Sequence, residues 1–126
     1  MEKPAKNKNA ETKIVIYQKP SCTTCRKVHE VLVQSGVDFE AVNYYLDPIP
    51  QAKLKELISK MGISAKDLFR KKEEIYKELK LSSREVSDAE AIELMAKHPD
   101  LIERPIVEKG SKAILARPAE RIQEIL

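Results

Sequence analysis

Cys22 and Cys25 are the only cysteines of the chain, and they stand with two residues between them in KPSCTTCRK, directly after the apolar run KIVIY. Thiols at that spacing have three chemical uses. They can close a disulfide, hold half of a metal site, or pair an attacking thiolate with a resolving thiol.

The neighbouring elements favour the third use. KIVIY, residues 13–17, is a β-branched run bounded by polar residues and Pro20, the pattern of a buried strand. Beyond the loop, Cys25, Val28, Val31 and Leu32 recur at helical spacing until Gly36 ends the helix. Cys22 therefore falls at a helix start. Free N–H groups and the helix dipole there stabilise an anion and bring a thiol pKa from ~8.5 into the range ~3.5–7.5. Arg26 and Lys27 add positive charge. Cys25 lies one turn further in, more buried, placed to attack a disulfide or adduct formed on Cys22. Between a strand and a helix, CxxC is a stronger signal than the spacing alone.

Two other readings of the cysteines stay open. His29 extends the motif to C-x2-C-x3-H, shares a helical face with Cys25, and His98 is the only other imidazole. A four-ligand zinc site would consume all of these, and the further clustered pair usual in structural zinc is absent, so no metal is expected. Both cysteines could also be small core residues, with His29 a surface helix residue and His98 part of a helix end.

A chain of 126 residues supports one ordinary core. Its 42% hydrophobic and 34% charged content is that of a soluble globular protein. Of the net charge of +3, Lys3, Lys6, Lys8 and Lys13 against Glu2 and Glu11 place +2 at the N-terminus. The remainder lacks the dense basic face and the stacking aromatics of a nucleic-acid reader. Lys and Glu alternate along its helices as on a solvated surface. No apolar run approaches a membrane span, and MEKPAKNKNAETK lacks the apolar stretch of a secretory signal. We therefore expect a flexible polar tail at 1–12, one domain at 13–126, a reducing cytoplasmic setting without a structural disulfide, and a monomer.

Further along, VDFEAVNYY reads as a second strand, which makes a βαβ opening with parallel strands. DPIP breaks the chain. Leu54, Leu57, Ile58 and Met61 mark a helix closed by Gly62. Ser64 and Asp67 cap a short helix that ends near Phe69–Arg70, and Ile75, Tyr76 and Leu79 mark a further turn or two. Ser87 and Glu90 form a capping box for a helix through Ile92, Leu94 and Met95 to His98-Pro99. RPIVEKGSKAILARP gives two strands joined at Lys109-Gly110, and Pro118 starts a last helix with Ile122, Ile125 and Leu126 on its apolar face. The fold class is α/β. The order β-α-β, helical insertion, β-β-α is the thioredoxin-like arrangement around a mixed four-stranded sheet.

Three segments resemble the glutaredoxin-linked arsenate reductases: YQKPSCTTCRK, GISAKDLFRKKEEIYKELKL and AKHPDLIERPIVEKGSKAILARPAE. The likeness runs from about Ile14 to Ile125. It implies that Cys22 is the nucleophile, that Arg70, Arg104 and Arg117 bind the oxyanion, and that Pro105 is the cis-proline facing the active-site cysteine. Guanidinium groups suit arsenate, a dianion near neutral pH, because they pair hydrogen bonds with its oxygens and keep their charge. Arg104 and Arg117 stand directly before prolines at strand ends, whereas Arg70 rests on the resemblance. The family uses glutathione and then glutaredoxin as reductant and holds no bound cofactor. This chain departs from the pattern at two positions. Cys25 stands where the family has a serine, which points toward a Cys22–Cys25 disulfide and a thioredoxin-type reductant. Gln18 stands where it has a histidine. CTTCRK is equally similar to the Spx-type regulators, which keep CxxC as a redox switch and bind RNA polymerase, although Arg117 in ILARPAE fits the reductases. A generic thiol–disulfide reductase of the same fold is the third reading.

Overall fold

The computed structural model describes residues 13–126; the tail assigned to residues 1–12 lies outside the described residues. The chain divides into two compact units, one formed by the chain up to Asn43 together with Arg104–Leu126, the other by Tyr44–Glu103.

The first unit is built on a sheet of order β2-β1-β3-β4, with β1 Ile14–Gln18, β2 Phe39–Asn43, β3 Ile106–Lys109 and β4 Lys112–Leu115. Strands β1 and β2 run parallel, and β3 and β4 are antiparallel additions, so the expected mixed sheet is observed. The parallel pair needs a crossover, which is α1, Thr23–Ser35. Alternation along β1 sends Ile14 and Ile16 to one face, where they pack with Val107 of β3, Val28 and Leu32 of α1, and Ala116, Ile122 and Ile125. Each of these larger side chains, fully buried, contributes about 1.5–3 kcal/mol. The opposite face carries Tyr17, whose hydroxyl donates to the buried Glu108 carboxylate at 3.0 Å.

Local chemistry sets most of the element ends. Lys109 pairs with Lys112, so the hairpin turn is Gly110-Ser111, one residue later than expected. Gly110 has φ 60° at its first position, where a type II′ turn requires glycine. The last helix is a 3-10 segment, Ala119–Glu124. At three residues per turn Ile122 and Ile125 share a face and are buried, whereas Leu126 is rotated off it and is 39% exposed, contrary to expectation.

The second unit holds α2 Gln51–Met61, a 3-10 turn Ala65–Leu68, α3 Glu74–Glu78, α4 Asp88–Lys97 and a 3-10 turn Pro99–Leu101. Leu54, Leu57, Leu68, Ala91, Met95 and Leu101 form its interior. Helix α4 forms over the expected residues and buries Ala91 and Met95, with Ile92 and Leu94 half-buried beside them. Ser64 and Asp67 make the expected capping box. At Ser87 only half of the box forms: Ser87 accepts from the Glu90 N–H at 3.1 Å, but the Glu90 carboxylate is taken by Arg84 at 2.9 Å. The short helix ends at Leu68, since Phe69 and Ile102 form an antiparallel bridge flanked by Arg70 N–H to Leu101 O at 2.8 Å and Glu103 N–H to Leu68 O at 2.9 Å.

Candidate active site

Strand β1 ends at Gln18, the loop turns with Cys22 N–H donating to Lys19 O at 2.9 Å, and α1 begins. Cys22 is its N-cap, in extended conformation (φ −81°, ψ 127°), and its sulfur accepts from the Cys25 N–H at 3.4 Å. That is the position an N-cap oxygen normally fills, so an ionised sulfur there caps the helix and is stabilised by it.

The two thiols ionise in opposite directions. Burial acts to raise the pKa of Cys22. The Cys25 N–H, the Cys25 S–H and the Arg104 guanidinium outweigh it and lower the value from 9.0 to about 7. Cys25 is fully buried, and desolvation, with the neighbouring Cys22 charge, pushes it up to about 12. Near neutral pH the pair is thus a thiolate at the helix start with a protonated thiol donating to it.

Arg104 is 4% exposed and precedes Pro105 across a cis peptide bond. A buried guanidinium requires anionic or polar partners, and the Cys22 thiolate is one of them. Arg117 donates through Nη1 to Arg104 O at 3.2 Å, and its own bond to Pro118 is also cis. The sheet unit thus holds Cys22, Cys25, Arg104, Pro105 and Arg117. Gln18, 7% exposed, has its Nε2 3.3 Å from His29 Nδ1, and the His29 ring meets Phe39 edge-on at 5.2 Å. Among the described residues no group of three or more His, Cys, Asp or Glu is arranged to hold a metal. No helix there is long and apolar enough to cross a membrane.

Arg70 belongs to the helical unit. Its Nε donates to Glu73 Oε2 at 2.8 Å and its Nη1 to Glu103 Oε1 at 2.6 Å. Sequence reading passed over both glutamates. The spacing from Arg70 to Glu73 was a usable signal, whereas Glu103 is 33 residues away and becomes a partner only through the Phe69–Ile102 bridge.

Residues 17–125 match the model of the ArsC family. The chain is 40% identical over 113 residues to the arsenate reductase of Escherichia coli K12, covering 90% of this chain and 80% of that one. The chain belongs to the ArsC family. The uncharacterized protein YfgD of Escherichia coli K12 is 39% identical over 114 residues, 90% of this chain and 96% of its own. The solved arsenate reductase from Vibrio cholerae superposes with a TM-score of 0.86 at 36% identity, covering 91% of this chain and 98% of that one. In this ArsC chain, then, both thiols and two of the three arginines singled out from sequence sit within the discontinuous sheet unit, and Arg70 sits in the inserted helical one.

Proposed function

We propose that the protein reduces arsenate to arsenite with electrons supplied by thiols, Cys22 being the nucleophile. One observation carries this reading: a thiol lowered to about 7 by a helix N-terminus and a buried arginine. Its sulfur attacks arsenic, hydroxide leaves and is protonated to water, and a Cys22 thiol–arsenate adduct remains. Arg104 and Arg117 bind the oxyanion through their guanidinium hydrogen bonds. A second thiol then attacks the Cys22 sulfur. The S–As electron pair stays on arsenic, which falls from the +5 to the +3 state and departs as arsenite, and the two sulfurs form a disulfide.

Cys25 suits the second attack for a reason of timing. Desolvation is the first cause of its raised pKa, and the bond to Cys22 and the Cys22 charge are the next that raise it. Both of those end once the Cys22 sulfur is bonded to arsenic, so Cys25 ionises more readily when it is needed. The Cys22–Cys25 disulfide is then reduced by glutathione with glutaredoxin, or by thioredoxin. In this scheme no metal or bound cofactor takes part.

The test is arsenate-dependent NADPH oxidation by the purified protein, with glutathione–glutaredoxin and thioredoxin systems run in parallel and Cys22→Ser as the blank. Turnover with either system is expected. Retention of the thioredoxin-linked rate in Cys25→Ser would remove Cys25 from the resolving step. Folded protein with titratable thiols and no turnover in both systems would overturn the arsenate reading.

A further inference from the structure

Gln18 is a polar side chain in an apolar place. Alternation along β1 puts it on the face of Ile14 and Ile16, which pack against α1, and it is 7% exposed. A buried amide there costs free energy that an apolar side chain of similar size would not. Only one end of the amide is matched: Oε1 has no hydrogen-bond partner, while Nε2 lies 3.3 Å from His29 Nδ1, which accepts in the Nε2–H tautomer. The imidazole is itself held, with its ring edge-on to Phe39 of β2 at 5.2 Å. His29 stands one turn beyond Cys25 on α1, so this bond fastens the end of β1 to the helix beside the buried thiol. The next residue, Lys19, is bonded to both cysteines. Its carbonyl accepts from the Cys22 N–H at 2.9 Å, and its N–H donates to the Cys25 sulfur. Burial raises the Cys25 pKa, and this N–H is the largest influence against it.

We propose that Gln18 and His29 are positioning residues for Cys25: their bond clamps the strand end onto α1 and keeps the Lys19 peptide seated on both cysteines, where its N–H stabilises the Cys25 thiolate as it forms. This rests on the reading above in which Cys25 attacks the Cys22 sulfur. The effect belongs to that step, since neither Gln18 nor His29 is among the groups that set the Cys22 pKa.

The experiment mixes the reduced full chain with one equivalent of the chromogenic disulfide dithiobis-nitrobenzoate and needs no arsenate. The Cys22 thiolate attacks one sulfur of the reagent and releases a first thionitrobenzoate, leaving a mixed disulfide. Cys25 gives its proton to solvent and attacks the Cys22 sulfur, which releases a second thionitrobenzoate and leaves the Cys22–Cys25 disulfide. Stopped-flow absorbance resolves the two phases in wild type, Gln18→Leu, His29→Leu, His29→Asn and the double variant Gln18→Leu/His29→Leu. The second phase should slow about tenfold in Gln18→Leu and in His29→Leu, with the first phase within about twofold. Asparagine keeps an acceptor near the place of Nδ1, so His29→Asn should hold the second phase within about threefold. The double variant should be no slower than the single ones, because all remove the same bond. An unchanged second phase in His29→Leu, or single effects that multiply in the double variant, overturns the clamp. Equal slowing of both phases overturns it as well, since it marks a general disturbance of the loop. If Gln18→Leu does not fold, the comparison of His29→Leu with His29→Asn decides, because His29 is only half-buried. A wild type that releases a single thionitrobenzoate overturns the resolving role of Cys25 and this proposal with it, and leaves arsenate attack by Cys22 to the turnover assay.

Discussion

Arg104 and Arg70 are both immobilised, by opposite means. In the sheet unit Arg104 is buried against a sulfur that is an anion near neutral pH and loses that charge when it bonds to another atom. In the helical unit Arg70 lies between the carboxylates of Glu73 and Glu103. The first arginine is coupled to the Cys22 thiol, so changes to one are felt by the other. The second is held by ion pairs within its own unit.

The sharpest break in that coupling is Cys22→Ser. A serine hydroxyl still caps α1, so the helix persists, but the thiolate is gone, and arsenate turnover should fall by about 10⁴-fold or more. Retained turnover would move the nucleophile elsewhere. Next in size is Arg104→Met, which removes the cation while filling much of its volume. The pKa of Cys22 should move from about 7 toward 9.0. Alkylation at pH 7 should then slow severalfold, as the ionised fraction falls below about half. A pH–rate profile for alkylation reads this directly, and an unshifted midpoint would show that the Cys25 N–H and S–H depress the thiol without Arg104.

A smaller effect follows from linkage. The folded pKa of Cys22 lies below its ordinary value, so its contribution to stability is present above 9.0 and is lost as pH falls through about 7. Cys25 is raised instead, and its contribution, full below 9.0, is lost as pH rises toward about 12. The thiols together therefore favour the fold most near pH 9, and denaturant midpoints of the reduced protein should climb between pH 7 and 9. In Cys22→Ser that climb should vanish; if it persists, other groups produce it.

What the sequence made legible was local. The β1–loop–α1 run, the glycine ending α1, the Ser64 cap and the hairpin are dictated within a few residues, and each forms close to its expected place. The CxxC at a helix start carried the lowered Cys22 pKa, because a helix terminus acts on its own first residue. What stayed hidden depends on contacts distant in sequence. The burial of Arg104 beside Cys22 needs β3 next to β1, and the grip on Arg70 needs residues 68–70 paired with 101–103. Glu90 left its capping box because Arg84 competes for it, and Leu126 misses the core because the last segment winds three residues per turn.

The smallest expected effects compare two helix ends. Helix α1 ends on Gly36 at φ 77°, and α3 ends with Lys80 at φ 55°. At the second end Leu81 N–H reaches Tyr76 O at 3.2 Å and Lys80 N–H reaches Lys77 O at 3.0 Å, the paired bonds of a Schellman motif. That motif wants glycine where Lys80 stands, since a side chain at positive φ costs about 1–2 kcal/mol, partly offset by the greater entropy glycine loses on folding. No atom lies within 4 Å of a Cβ added at Gly36, so Gly36→Ala meets strain without collision. It should lose about 1 kcal/mol, whereas Lys80→Gly should gain about 0.5–1 kcal/mol and raise Tm by about 2–4 °C. Gly36 and Cys22 cap opposite ends of α1, so the Cys22 alkylation midpoint should stay near 7 in Gly36→Ala. A shifted midpoint there would show that strain at the end of α1 reaches the cap at its start.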